Sequence, residues 1–178
     1  MKKYLGIAIL STMIACTNPA HKGEGAKDST SSTENTDASV KVELADPKIE
    51  KIYASYITVK NELVAANAKG TQGAAAELST ALKAFEGCEN TALISDKIAG
   101  TADIKVQRKE FTALSSDVIA LFKHAEVKTG AIYVQHCPMA NNGDGGDWLS
   151  SDKKIRNPYY GDEMLECGAV LEELTAKK

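Results

Sequence analysis

Cysteine is scarce in this chain, four in 178 residues, and no two stand at the Cys-x-x-Cys spacing of a zinc ribbon or a thioredoxin-like redox motif. A disulfide-dense scaffold is excluded by the same count. Neither sign of charge dominates: 21 Lys plus Arg face 24 Asp plus Glu, a net of -3, and no basic cluster supplies the footprint that a phosphate backbone needs. Nucleic acid is therefore not an expected partner. Catalytic signatures are missing too: there is no Gly-x-Ser-x-Gly, no His-Glu-x-x-His and no phosphate-cradling glycine loop, so no enzyme activity is expected. Only 6% of residues are aromatic. What remains is ordinary globular composition, 43% apolar and 25% charged, in about one domain's length.

The longest apolar run, Tyr4 to Ala15 behind Lys2 and Lys3, is far short of the roughly 20 residues of a membrane-spanning helix and reads as a secretory signal over residues 1–15. It ends Met13-Ile14-Ala15-Cys16, which resembles the lipobox of bacterial lipoproteins and makes Cys16 the expected acylated N-terminus. Residues 17–45 are rich in Ser, Thr and acidic side chains, with almost no large apolar ones before Val40. Such a stretch cannot bury enough surface to repay its ordering and reads as a tether, about 100 Å long when fully extended. The expected location is the bacterial envelope, lipid-anchored, on the outer membrane facing the periplasm.

From Asp46 the pattern turns helical. Asp46 and Pro47 supply an N-cap and a first-position proline, and Ile49, Ile52, Tyr53, Tyr56, Ile57, Leu63 and Val64 recur at threes and fours until Gly70. A second helix is expected from about Thr71 to Glu86 with Gly87 as its stop. A third follows from Ile104 to about Ala125, and the break between them has room for a short helical turn. After Gly130 the residues Ala131 to Cys137 are strand formers ended by Pro138, residues 140–147 form a Gly/Asn/Asp loop, and residues 167–174 suit a strand that pairs with 132–137. The expected fold is mainly α: an antiparallel helical bundle over residues 46–178 that carries a small C-terminal β ribbon and loop subdomain.

The sulfur residues cluster in this last part. In an extended stretch residues two apart share a face, which puts Cys137 with Met139 and turns His136 the other way; in a helical turn residues three apart do, which puts Met164 with Cys167. If the segments meet, two thiolates and two thioethers form a soft ligand set suited to Cu(I) or Ag(I), with His136 or His124 as auxiliaries. The other reading is a Cys137–Cys167 disulfide, worth about 3.5 kcal/mol in the chain-entropy model, with the methionines as core filler. Both readings stay open. Cys88 reads as a small buried residue, His21 and His124 as surface residues, and Asp144 and Asp147 as a solvated turn, since the calcium-loop order of ligands is missing. Trp148, Tyr159 and Tyr160 read as anchors for the loop or, on a docking module, as a surface for a protein partner. His136 and Cys137 are neighbours on opposite strand faces and badly placed as base and nucleophile.

The segments Tyr133-Val-Gln-His-Cys-Pro-Met-Ala140, Trp148-Leu-Ser150, Ile155-Arg-Asn-Pro-Tyr-Tyr-Gly161 and Met164-Leu-Glu-Cys-Gly168, together with Gln107-Arg-Lys-Glu-Phe111, closely resemble a bacterial family known as domain of unknown function 3347. The resemblance spans residues 48–175. It implies a mostly helical envelope protein, in some cases a lipoprotein and in others a domain fused to periplasmic adaptors of copper and silver efflux systems. It further implies Cys137, Met139, Met164 and Cys167 as candidate ligands, with His136 at a variable place in the motif, and an efflux complex as partner. The functional expectation is soft-metal binding for efflux or sequestration; the alternative is a disulfide-stapled module that docks on an envelope complex without metal.

Overall fold

The computed structural model describes residues 41–177. The signal-like run, Cys16, His21 and the tether up to residue 40 lie outside the described residues. Residues 41–45, assigned to the tether above, are ordered: Glu43–Leu44 form a short strand, β1, paired with β2 (Val127–Thr129), and Val42 and Leu44 are buried. Two apolar side chains in an otherwise polar stretch are enough to bring it onto the core.

The first helix, α1, runs Pro47–Val64 and starts as its sequence dictates, with the Asp46 carboxylate accepting from the Lys48 amide at 2.7 Å. It ends six residues before Gly70. Ala66 takes a left-handed φ of 52°, and Asn67 caps α2 (Ala68–Lys83) by accepting from the Gly70 amide at 3.0 Å. Gly70 thus belongs to the first turn of α2, where a Cβ would collide with the Glu62 carboxylate. The expected short helical turn is a full helix, α3 (Glu89–Ala99), so the bundle has four helices, the last being α4 (Ile104–Phe122). Small faces explain why α3 is hard to see in sequence: it buries Thr91, Ala92, Ser95 and Ile98 rather than a row of large apolar side chains. Each helix packs on the next, and the short connections fold the chain back on itself.

The C-terminal part is a three-stranded antiparallel sheet in the order β4-β3-β5, with β3 at Ala131–Cys137, β4 at Gly146–Ser150 and β5 at Ala169–Thr175. The expected pairing of the last segment with residues 132–137 is present, Ile132 opposite Leu174 and His136 opposite Ala169. The residues expected as loop contain a strand start at Gly146, which brings Trp148 and Leu149 inward against α4 and α1. Tyr56 ties the layers together: its hydroxyl shares a 2.6 Å hydrogen bond with Ser115 Oγ on α4 and accepts from the Leu149 amide at 3.2 Å. Burial raises the Tyr56 pKa far above the ordinary phenol value, which keeps the hydroxyl neutral. A run of aromatic contacts, Tyr56 to Phe111 to Tyr159 to Trp148, then joins helix to sheet at centroid distances of 5.6, 5.7 and 6.1 Å. No described helix is long and apolar enough to cross a membrane.

Candidate functional site

Cys137 is the last residue of β3 and fully buried; Cys167 precedes β5 and is partly exposed. Their sulfurs lie 2.7 Å apart, and both cysteines are free. The chain returns to this point 30 positions later because Asn157 holds the returning segment in place. The buried Asn157 amide N–H donates to Leu165 O at 2.9 Å, and its side-chain Nδ2 donates to Cys167 O at 3.1 Å. Its Oδ1 accepts from the Tyr159 amide at 2.8 Å, and its carbonyl accepts from Gly161 N at 3.0 Å. The Asn-Pro-Tyr-Tyr-Gly signature is therefore the clamp of the Cys167 segment. Gly168 completes the approach: at φ 145° a Cβ would meet His136 O at 2.6 Å and the Trp148 ring at 3.0 Å. Contact with Cys137 and burial raise the pKa of the Cys167 thiol.

The remaining sulfur and imidazole candidates do not join this pair equally. Met139 does not share a face with Cys137, because the strand ends at Cys137 and the chain turns at Pro138; the Met139 side chain is 53% exposed. Its backbone stays at the site, since a Met139 backbone hydrogen bond to the Cys167 sulfur lowers that thiol's pKa and the Tyr160 hydroxyl donates to Met139 O. Met164 ends a short 3-10 turn (Gly161–Met164), is half-buried, and accepts the Cys167 N–H on its carbonyl at 3.1 Å. His136 alternates to the opposite side from Cys137, where its Nδ1 meets Asp147 Oδ1 at 2.7 Å. The imidazole is thus hydrogen-bonded on the face away from the sulfur pair. Asp147, read as part of a solvated turn, is that partner.

Trp148 and Tyr159 are buried, so they form no docking surface. The Trp148 indole donates to Gln135 Oε1 at 2.8 Å and the Tyr159 hydroxyl to Asp147 O at 2.9 Å, and the half-buried Tyr160 lines an open cleft. Polar anchoring of this kind is how buried Trp and Tyr keep their donors satisfied, and the buried Tyr159 borders the same cleft as Tyr160. Cys88 is the buried N-cap of α3, its thiol pKa raised by burial and by Glu89 and Asp117. His124 lies beside Asp46 and Glu126 in a small groove. Sequence reasoning missed Asn157 and Arg108. The first carried a turn signal that gave no hint of a clamp; the second stood on a helix with nothing to mark its partners.

Residues 52–130 match the family described as protein of unknown function (DUF3347). The match agrees with the resemblance read from the sequence. No curated protein and no solved structure matches the chain. The DUF3347 match covers most of α1 through β2 and stops before β3, so both members of the sulfur pair lie C-terminal to it.

Chemically, the pair has two options. Among the described residues no three His, Cys, Asp or Glu side chains converge, so a hard or borderline cation has no cage of those ligands here. Two adjoining thiols suit a two-coordinate soft ion, provided that the sulfurs separate by roughly 2 Å, since two metal–sulfur bonds of about 2.3 Å end to end span about 4.6 Å. Alternatively they close by less than that into a bond of about 2.05 Å.

Proposed function

We propose that the chain is an envelope lipoprotein, anchored through Cys16, whose folded part takes up a soft ion such as Cu(I) or Ag(I) on Cys137 and Cys167 for sequestration or delivery to an efflux complex. The observation that supports this reading is the meeting of Cys137 and Cys167, one buried and one partly open to solvent. A partly open thiolate gives the ion entry, and the buried one gives retention. Met139 and Met164, whose backbones touch the Cys167 segment, are the nearest thioether sources and match the softness of the thiolates. His136 is not a ligand in this reading. The domain is not an enzyme, and it uses no nucleic acid.

The test is an anaerobic Cu(I) competition titration of the reduced chain, carrying Cys16→Ser to prevent acylation, against a chromophoric chelator. One ion is expected per chain, with affinity lost in the Cys137→Ser/Cys167→Ser variant. Retained affinity in that variant overturns the site.

A second reading has its own support in the same short separation, which is nearer to a covalent bond than to two ligands spread around one ion. In an oxidising compartment the pair then becomes a staple, and the domain is a docking module for an envelope complex. Peptide mapping of native protein under non-reducing conditions separates the two: a linked Cys137–Cys167 peptide favours the staple, and free thiols favour the metal.

A further inference from the structure

One side of α4 presents Lys105, Arg108, Lys109 and Thr112, spaced three and four residues apart, to a cleft of about 910 Å³. Across it stand Asn141, Asn142, Asp144 and Gly145 of one loop and Tyr159, Tyr160 and Glu163 of the other. The volume falls in the range of small-molecule sites. None of the three cations is in a salt bridge among the described residues, whereas five other pairs are formed elsewhere.

Arg108 gives the cleft a fixed floor. Its Nε donates to Pro158 O at 3.0 Å and one Nη donates to Leu63 O at 3.1 Å, so the guanidinium is held at the junction of α1, α4 and the Asn-Pro-Tyr-Tyr-Gly turn. A guanidinium has five N–H donors, and those two carbonyls use two of them. The half-buried head is thus preset in orientation, with donors left over and no carboxylate hydrogen-bonded to it, the Glu163 charge acting on it from across the cleft. The opposite wall is equally fixed: Thr112 Oγ1 donates to Asn141 Oδ1 at 3.1 Å, and Asn141 Nδ2 donates to Gly145 O at 2.8 Å. Asn141 and Asn142 both hold left-handed φ values, 54° and 62°, a conformation that Asn adopts more readily than most side-chain-bearing residues.

We propose that this cleft binds a small ligand with two or more anionic oxygen groups, one on the Arg108 fork and another between Lys105 and Lys109. Planar pairing with a preset guanidinium suits a carboxylate or a phosphate, and two flexible ammonium groups one helical turn apart suit a second charge without demanding its shape. Asp144 and Glu163 at the other wall repel a bulkier polyanion and limit the ligand's reach. The tyrosine faces supply apolar contact for its carbon skeleton. This site is separate from the sulfur pair.

The experiment is calorimetric titration of the chain carrying Cys16→Ser, in metal-free buffer, with citrate and with pyrophosphate as probes and acetate as the monoanion control. Saturable one-to-one binding of at least one polyanion, at least tenfold tighter than acetate, is expected. Citrate alone assigns a carboxylate ligand, pyrophosphate alone a phosphate one. The Lys105→Ala/Lys109→Ala variant, whose two side chains lie outside the core, should keep its melting temperature and lose at least tenfold in affinity. The Cys137→Ser/Cys167→Ser variant should bind the probe as before, so that failure of the metal reading leaves this one intact. Absence of binding by both polyanions at millimolar concentration, or binding undiminished in the double-lysine variant, overturns the assignment; capture of a glutamate-rich peptide in place of either probe overturns it in favour of a protein-docking surface.

Discussion

At the scale of single residues, two positions show how packing decides chemistry. Gly168 lets the Cys167 segment lie against β3, and adding one methyl group there meets a backbone oxygen that cannot move aside cheaply. Gly168→Ala should cost about 2 to 3 kcal/mol in urea unfolding, the range for strain at a special backbone conformation plus overpacking, and should weaken Cu(I) binding in parallel. A variant that loses stability but keeps full Cu(I) affinity would show that the sulfur pair tolerates displacement of β5. Lys60 is the second position. It is only 4% exposed on α1, and burial, reinforced by Arg156 and opposed by Asp152, lowers its pKa to about 8. Unfolded, the same amine keeps its proton to about 10.4. The folded state therefore holds fewer protons than the unfolded one between about pH 8 and the unfolded value, and stability rises with pH across that window. Below it the full penalty is present, about 3 kcal/mol at 1.36 kcal/mol per unit of pKa. Lys60→Met should thus be the more stable protein at pH 7, with the difference shrinking toward pH 10. Parallel denaturation of the two proteins isolates the effect, because every other titrating group is common to both.

At the scale of elements, what the sequence reveals and what it hides follow from different physics. The start of α1 was legible because Asp46 and Pro47 act through local chemistry, and α4 was legible because Phe111, Leu114, Val118 and Phe122 repeat on one stripe. The pairing of residues 169–175 with β3 was readable from strand propensity and the glycine before it. The junction between α1 and α2 was not. Gly70 looks like a stop, yet the helix breaks earlier because Asn67 captures the Gly70 amide with Oδ1 and reaches back with Nδ2 to Glu62 Oε2 at 2.6 Å. Only side-chain hydrogen bonds distinguish these alternatives, and composition carries no record of them. Asn67→Ala should cost about 1 kcal/mol, the usual worth of an N-cap, measured as a lower urea midpoint at unchanged m-value. A neutral result would mean that Ala66 and the packing of α1 on α2 fix the break unaided. The candidate site was legible in a similar, partial way: Cys137 and Cys167 meet as their flanking periods suggested. Met139 fell off the shared face because the strand ends two residues before it, and His136 meets Asp147, a partner 11 positions away that no local pattern signals.

At the scale of the whole molecule, helices and sheet should unfold as one cooperative unit, because Tyr56 bonds to both α4 and β4 and Arg108 to the end of α1 and the Pro158 turn. Ligation at the sulfur pair should therefore register as global stability rather than as local stiffening. An ion that binds the native state alone stabilises it by RT ln(1 + [L]/Kd), about 4 kcal/mol when free ion exceeds Kd a thousandfold. For a domain near 140 residues a kilocalorie shifts the melting temperature by roughly 3 to 5 °C, so one equivalent of tightly bound Ag(I), used because it needs no reductant, should raise it by about 10 °C or more. The oxidised protein supplies the contrast. A bond between Cys137 and Cys167 removes the ligands, so Ag(I) should then leave the melting temperature unmoved, while the oxidised protein should itself melt higher than the reduced one through the roughly 3.5 kcal/mol of loop closure. The Cys137→Ser/Cys167→Ser variant should respond to neither treatment. A rise with Ag(I) in that variant would move the ion to another thiol, of which Cys88 is the one buried inside the bundle. No rise in the reduced native chain, with a large rise on oxidation, would establish the pair as a staple and the domain as a docking module.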